Sequence, residues 1–396
     1  MMQDDPVVIV GSARTPMGGF LGELRDLSAP MLGAAVIRGA IDDAGLTPDA
    51  VDEVVLGCVL TAGQGQAPAR QAAIGAGVPQ SVPCSTVNKV CGSGMKAAMI
   101  AADGIRAGSA EVIVAGGMES MSNAPYLLDR AREGYRMGHG RAIDHMFLDG
   151  LEDAYDKGRL MGTFAEECAK SHQFTREMQD AFAISSIERA QRAGHDGSFA
   201  NEIVPIQVGT AGEASIITAD EHPAKARLDR IATLRPAFRE HGTVTAANSS
   251  PISDGAAALV LVRRSVAERL GATIRARVVA HATHAQAPHL FTTAPVGAIR
   301  KLIDKTDWSL RDVDLYEINE AFAVVALAVM RDLALPHEKV NVHGGALALG
   351  HPIGASGARI LVTLLAALEE HDLRRGVASL CIGGGEATAM AIERCQ

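Results

Sequence analysis

The sequence predicts an α/β protein built from two homologous halves, each a sheet with helices on both faces, and a further domain inserted into the first half. Three observations predict it. Ile37-Arg38, Ile41-Asp42 and Val51-Asp52 recur as Ile299-Arg300, Ile303-Asp304 and Val313-Asp314 at a constant offset of 262. Ordered self-similarity of this kind marks a repeated structural unit. The composition, 47% hydrophobic but only 4% aromatic with 41 glycines in 396 residues, suits helices packed closely on sheets, and the length favours two or three domains. Finally, two cysteines far apart in sequence, Cys91 and Cys381, each sit on a glycine-rich turn.

Taken in order, the first repeat unit reads as an amphipathic helix around Ile37–Asp42, a turn at Leu46-Thr47-Pro48 and a strand near Val51, and its counterpart turns at Trp308-Ser309-Leu310. Ser93-Gly94 matches Ser356-Gly357 at an offset of 263, and each pair opens an apolar helix. Strands ending in glycines follow: Val112 to Ala115 with Gly116-Gly117, and Val377 to Ile382 with Gly383-Gly384. Extra residues near His371–Arg375 move the offset to 267. The halves are therefore drawn as 1–120 plus 249–269 and 270–396. Residues 121–248 differ, with many charges, turn signals such as Gly138-His139-Gly140, and one long helical pattern from Arg176 to Ala193, and they read as a cap or loop domain. Asn248 to Asp254 is a polar return loop, and Gly255 to Val262 reads as a strand rejoining the first sheet.

A net charge of −9 argues against a nucleic-acid partner. No apolar run is long enough to span a bilayer, Ile360 to Leu368 being the longest candidate, so no membrane partner is expected. The acidic Met1–Pro6 segment runs into a strand and does not read as a signal peptide, and the last four residues match no peroxisomal tag. Six cysteines without metal-ligand or framework spacing read as reduced thiols of a cytoplasmic protein, and no metal is expected. Gly92-Ser93-Gly94 and Gly350…Gly354…Gly357 lack the spacing of a dinucleotide fingerprint.

Cys91 stands in Cys91-Gly92-Ser93-Gly94-Met95, just before the apolar run to Ile105. Backbone N–H groups and the helix dipole there are expected to stabilise a thiolate, against the plainer reading of a buried structural cysteine. His351, in Gly350-His351-Pro352-Ile353-Gly354, occupies the equivalent turn of the second half. Pseudo-twofold symmetry would bring the two helix starts together and let His351 take the Cys91 proton. Its plain alternative is a loop histidine satisfied by backbone, and His139, His195 and His371 read as surface residues. Asn319, in Glu317-Ile318-Asn319-Glu320-Ala321-Phe322, is either a helix cap or an oxyanion-hole group. Cys381 is either a strand-end core thiol or a ligand-facing one.

These motifs, with Ile9-Val10-Gly11-Ser12-Ala13-Arg14-Thr15-Pro16, Gly116-Gly117-Met118-Glu119-Ser120-Met121-Ser122 and Leu234-Arg235-Pro236-Ala237-Phe238, resemble the thiolase family along the whole chain and in family order. The resemblance implies the thiolase fold, a duplicated five-layered α-β-α-β-α arrangement with an inserted loop domain, and a homotetramer of tight dimers. It implies condensation of two acetyl-CoA to acetoacetyl-CoA and CoA, or the reverse, with no cofactor beyond the coenzyme A of the substrate. Cys91 would be the acyl-accepting nucleophile, His351 its base and Cys381 the acid/base at C2 of the second acyl-CoA. One oxyanion hole would use His351 and a water on Asn319, the other the N–H groups of Cys91 and Gly383. Leu151, Met161, Phe238, Ser250, Ala321 and Phe322 fall at positions lining the CoA or acyl site.

The chain departs from the family at Leu160, where a histidine is common, at Pro251 beside Ser250, at Glu386 after the three glycines, and at His222-Pro223, where an adenine-contacting arginine often stands. A degradative 3-ketoacyl-CoA thiolase of broader chain length is the alternative, and bulky Met161 favours acetyl. A decarboxylating ketoacyl synthase has no need of a second reactive cysteine. A non-catalytic CoA-ester or lipid carrier would need neither cysteine, nor His351 and Asn319.

Overall fold

The computed structural model describes residues 5–209 and 214–395; Met1–Asp4 and Gln396, parts of the terminal segments read above, lie outside them. The first half supplies strand β1 (Val7–Arg14), helix α1 (Ala29–Asp43), β2 (Glu53–Gly57), β3 (Cys84–Val87), helix α2 (Ser93–Ala107) and β4 (Val112–Ser120). Helices α3 (Met161–Ser171) and α4 (Arg176–Asp196) belong to the inserted region, and the chain returns as β5 (Ser253–Arg263). The second half contains β6 (Ala276–Ala285), α5 (Ala294–Ile303), β7 (Leu315–Ile318), α6 (Ala323–Leu333), α7 (Ser356–Glu370), β8 (Arg375–Ile382) and β9 (Glu386–Arg394).

The strand order repeats. In the first half it is β3-β2-β4-β5-β1, and in the second β7-β8-β9-β6, with Tyr316 of β7 bridging Val340 where β3 would lie. Within each half the inner pairs, β2 with β4 and β7 with β8, are parallel and the pairs made by β5 and β9 are antiparallel. Two separate sheets were expected. Instead the equivalent strands β1 and β6 exchange a short antiparallel contact, Val8 with Arg277 and Ile9 with Ala276, which joins both sheets into one hydrogen-bonded path.

Alternation along the strands shows the layers directly. On β1, Val8 and Val10 pack into the cluster containing α1, whereas Val7 and Ile9 pack into the one containing α2 and α7. On β9, Ala387, Ala389 and Ala391 face the α5 cluster, whereas Met390 and Ile392 face α2 and α7. Helices α2 and α7 thus form a central layer between two sheets, with outer helices beyond each sheet. This explains why every residue of α7 from Ser356 to Leu368 is buried, including Arg359, whose guanidinium pairs with buried Glu317 at 3.2 Å.

The first glycine strand end is corrected by the structure. Strand β4 continues through Gly116-Gly117 to Ser120, paired with Asp254. The glycines admit close neighbours: a Cβ would lie 2.0 Å from the Ala257 carbonyl oxygen at Gly116 and 2.0 Å from that of Gly354 at Gly117.

The two central helices meet at their first turns. A Cβ on Gly94 would lie 2.8 Å from the backbone nitrogen of Ala358, and one on Gly357 would lie 2.4 Å from that of Met95. The contact is reciprocal, as a pseudo-twofold axis requires. Gly357→Ala should therefore destabilise the protein by about 1–3 kcal/mol, because backbone on both sides must separate. Gly194→Ala, in α4 with nothing within 4 Å, should stabilise by roughly 0.5–1 kcal/mol. Denaturant unfolding of both variants checks the pair, and equal effects would contradict the close helix contact.

Candidate active site

Asn88 to Ser93 build the turn that carries Cys91. Val90 has φ +47°, a left-handed conformation rare for a β-branched residue. Local bonds hold it there. Asn88 Oδ1 accepts from the Val90 N–H at 2.9 Å, and Ser93 Oγ accepts from the Lys89 N–H at 2.8 Å while donating to the Val90 carbonyl at 2.6 Å. Cys91 is thereby placed just before α2, on the wall of a cavity of about 390 Å³.

His351 lines the same cavity from the equivalent turn. Its Nδ1 lies 2.6 Å from Ser356 Oγ, and that hydroxyl donates to the Pro352 carbonyl at 2.9 Å. A serine has one hydroxyl proton, so His351 Nδ1 must carry the hydrogen between it and Oγ. His351 Nε2 is left with its lone pair, and Asn319 Nδ2 stands 3.5 Å from it. Asn319 is not a helix cap, since α6 starts at Ala323 with Phe322 in the capping position. It is fully buried beyond β7, its N–H donating to the Ser379 carbonyl at 3.0 Å and its Oδ1 without a hydrogen-bond partner.

Cys381 is buried at the end of β8 and lines the cavity, as does Gly383. Gly384 and Gly385, with φ of +88° and +85°, turn the chain into β9. The two cysteine turns touch: a Cβ on Gly92 would lie 2.3 Å from Ile382 Cδ1. Lys89 also pairs with Glu386 across the gap.

The inserted region and the return loop close the cavity. Met161 opens α3, and its sulfur is 3.6 Å from where a Gly383 Cβ would stand. Phe238 meets Phe322 edge to face, with centroids 5.9 Å apart. Ser250 donates its N–H and its hydroxyl to the Ala321 carbonyl, both at 3.0 Å, and Leu151 completes the wall. Ten of the eleven residues expected at the site line this cavity, and the eleventh, Asn319, stands behind His351. Leu160 and Pro251 also line it, whereas His222 packs beside Gly19 and Gly350 instead.

The electrostatics correct one expectation. Burial pushes the Cys91 thiol up to about 11, although the N–H groups of Gly383 and of Cys91 itself favour the thiolate. Burial outweighs the helix terminus because a cavity lined mostly by apolar side chains replaces water around the sulfur. Burial, and then the Arg359 charge, hold His351 down at about 3. Burial raises the Cys381 thiol well above its usual range, and the charge of a Cys91 thiolate raises it further. Each of these shifts favours the neutral form of its group.

Sequence reasoning quoted Glu119 and Ser356 within motifs without giving either a task. Glu119 is buried, accepts from the N–H groups of Val59, Leu60 and Gly354 at 3.0, 3.1 and 2.9 Å, and so pins the His351 turn to the loop after β2. Burial raises it to about 7. Glu320 accepts from Ser186, Asn341 and the Leu347 N–H and fixes the chain beyond Asn319. Ile353, quoted within the His351 motif without a task, and Phe291, which carries no motif signal, complete the cavity wall.

A duplicated α/β fold that brings two cysteines and a histidine to one cavity, with an asparagine behind the histidine, defines a protein built for thiol chemistry. Residues 7–265 match the model of the thiolase N-terminal domain, and residues 272–394 that of the thiolase C-terminal domain. The chain belongs to the thiolase family. It is 53% identical over 391 residues to acetyl-CoA acetyltransferase 2 of Arabidopsis thaliana, covering 98% of this chain and 96% of the relative. It is 51% identical to the acetyl-CoA acetyltransferase of Pseudomonas aeruginosa, covering 99% and 100%. The crystal structure of the Bacillus anthracis acetyl-CoA acetyltransferase superposes with a TM-score of 0.96 at 42% identity, covering 99% of both chains.

The raised thiol makes a direct prediction. Alkylation of Cys91 by iodoacetamide, followed by peptide mass mapping, should speed up about tenfold per pH unit from about pH 6 to about pH 9, since only the thiolate reacts. A plateau reached below about pH 8 would mean that the free protein holds a thiolate–imidazolium pair instead.

Proposed function

We propose that this protein condenses two molecules of acetyl-CoA to acetoacetyl-CoA and free CoA, and catalyses the reverse thiolysis, through an acyl-enzyme on Cys91. The observation that carries this reading is the meeting of Cys91, Cys381 and His351 on one cavity, with the Gly383 N–H directed at the Cys91 sulfur. In this mechanism Cys91 Sγ attacks the thioester carbonyl as its proton passes to His351 Nε2, and CoA leaves with that proton. The N–H groups of Cys91 and Gly383 hold the developing oxyanion. Acylation removes any negative charge at Cys91, which relieves the effect of that sulfur on Cys381. Cys381 then passes its thiol proton to His351 Nε2, and the resulting thiolate takes a proton from C2 of the second acetyl-CoA, whose enolate oxygen is held by the His351 Nε2–H and by a water on Asn319. The carbanion attacks the acyl carbonyl and releases the Cys91 thiolate, which takes its proton back from His351 Nε2.

Leu151, Met161, Phe238, Ser250, Ala321 and Phe322 form the pantetheine and acyl walls in this reading. Bulky Met161, which lines the cavity with its sulfur 3.6 Å from where a Gly383 Cβ would stand, supports acetyl over longer chains. Rates with acetoacetyl-CoA and longer 3-ketoacyl-CoA esters separate this from the broader degradative alternative. We also propose the domain division 1–120 plus 249–269, 121–248 and 270–396, a cytoplasmic location supported by six unpaired cysteines, and a homotetramer. The exposed edge strand β3 and the exposed Tyr126, Leu128 and Met137 support self-association.

Two variants test the chemistry. Cys91→Ser should fold but form no acyl-enzyme detectable by intact mass, because a hydroxyl ionises far less readily than a thiol. Cys381→Ala should still gain one acetyl group on Cys91, yet lose about 10²–10⁴-fold in acetoacetyl-CoA cleavage. Wild-type cleavage by Cys381→Ala would remove the two-cysteine mechanism, and wild-type turnover by Cys91→Ser would remove the nucleophile. Wild-type kinetics should be ping-pong.

A further inference from the structure

At the opposite end of α7 from His351, His343, Glu370 and His371 each offer a ligand-type atom, and these atoms lie within 4.8 Å of one another. Short-range spacing hides the group, because the length of α7 separates His343 from the other two. His343 sits on a rigid turn, where Asn341 has φ +50° and Gly344 has φ +79°. The Asn341 side chain fixes that turn, accepting from the Ile318 N–H and donating to the Ile318 carbonyl, both at 2.8 Å. Glu370 ends α7 and His371 caps it, so the cluster lies at the negative end of the helix dipole.

The His343 side chain is only 6% exposed, and its Nδ1 has no hydrogen-bond partner. Its Nε2 lies 3.2 Å from Glu370 Oε2. Two ligand atoms at about 2.0–2.1 Å from one tetrahedral zinc are roughly 3.3 Å apart, so this separation fits two ligands of one ion as well as it fits a hydrogen bond. The other carboxylate oxygen of Glu370 is 2.9 Å from Ser198 Oγ, which is 2.6 Å from Asp196 Oδ1. Ser198 and Asp196 thus orient Glu370 as outer-shell groups orient metal ligands. The surrounding cavity carries the carboxylates of Asp196, Glu338 and Glu370 against the guanidiniums of Arg189 and Arg192. Arg189 is engaged by the Val340 and Asn341 carbonyls at 2.6 and 3.2 Å.

We propose that His343, Glu370 and His371 form a binding site for a divalent cation of the zinc type, with solvent in the remaining position. Two imidazoles and a carboxylate are the donor set suited to such an ion. The site is structural. Fifteen helical residues at about 1.5 Å each put it roughly 22 Å from the start of α7, beyond reach of the cavity chemistry. It ties the end of α4 and its Asp196–Ser198 extension to the end of α7 and the His343 turn.

The test uses full-length protein first alkylated with iodoacetamide, so that cysteine thiols do not contribute ligands. Zinc chloride is added at micromolar concentration, dialysed to equilibrium and counted by elemental analysis, and the zinc-dependent rise in melting temperature is measured in parallel. Wild type should hold one zinc per chain and melt at a higher temperature with it. His371→Ala, at an exposed position, should lose both effects, and Glu370→Gln should weaken both. Turnover of unalkylated His371→Ala should match wild type. No zinc on wild type, which would leave His343 and Glu370 as a hydrogen-bonded pair, overturns the proposal. So does equal zinc stoichiometry or an equal melting shift in wild type and His371→Ala.

Discussion

The contact between Gly94 and Gly357 at the first turns of the two central helices is the constraint on which the rest of this molecule depends. Each glycine leaves room for the other helix's backbone, Gly94 for Ala358 and Gly357 for Met95. The two helix starts can therefore sit together at the centre of the five layers. Cys91 precedes one start and His351 the other, so the closeness of the helices sets the closeness of that thiol and that imidazole. The same principle joins the cysteine turns, where Gly92 admits Ile382. Larger residues at these positions would push apart the groups whose proximity gives the cavity its chemistry.

Dense packing at the centre has an electrostatic consequence. Cys381 and His351 are buried and Cys91 is half-buried on the cavity wall, and all three are driven toward their neutral forms. The proposed mechanism needs no more than a neutral thiol and a neutral imidazole with its Nε2 lone pair free, because in it the proton moves when the thioester arrives and the oxyanion donors gain a charge to bind. The acidic and basic groups nearby belong to the scaffold. Arg359 pairs with Glu317 in the central layer, and Glu119 gathers three backbone N–H groups behind the His351 turn. A buried acceptor of that kind fixes backbone more firmly than an apolar contact, since losing any donor leaves an unsatisfied polar atom.

The inserted region and the second half share the work of shaping the mouth. Met161, Leu151 and Phe238 come from the insertion, and Ala321 and Phe322 from the loop before α6. The return loop stitches them together through Ser250 and the Ala321 carbonyl and through the Ser249–Phe322 bridge. Leu160 makes this mouth more apolar than a histidine would, and Glu386 ties the second glycine turn to Lys89 at the other side of the opening.

By itself the sequence determined the duplication, the repeated helix–turn–strand units, the central helices opened by Ser93 and Ser356, the long helix from Arg176 and the return of β5, because these depend on local periodicity and on repeated spacing. It also marked Cys91, His351, Asn319 and Cys381, since glycine turns and motif order are local signals. Only the tertiary structure decided what burial does to those groups. The helix start at Cys91 suggested a stabilised thiolate, but the layers that enclose it remove more solvation than the N–H groups return. Only the structure decided which proton His351 carries, because Ser356 and Pro352 settle the tautomer by geometry. It also decided that Gly116-Gly117 lie inside a strand, that β1 and β6 join the two sheets, and that His343 meets Glu370 and His371. Each of these depends on which distant segments touch, and that follows from the packing of the whole chain rather than from the spacing within any part of it.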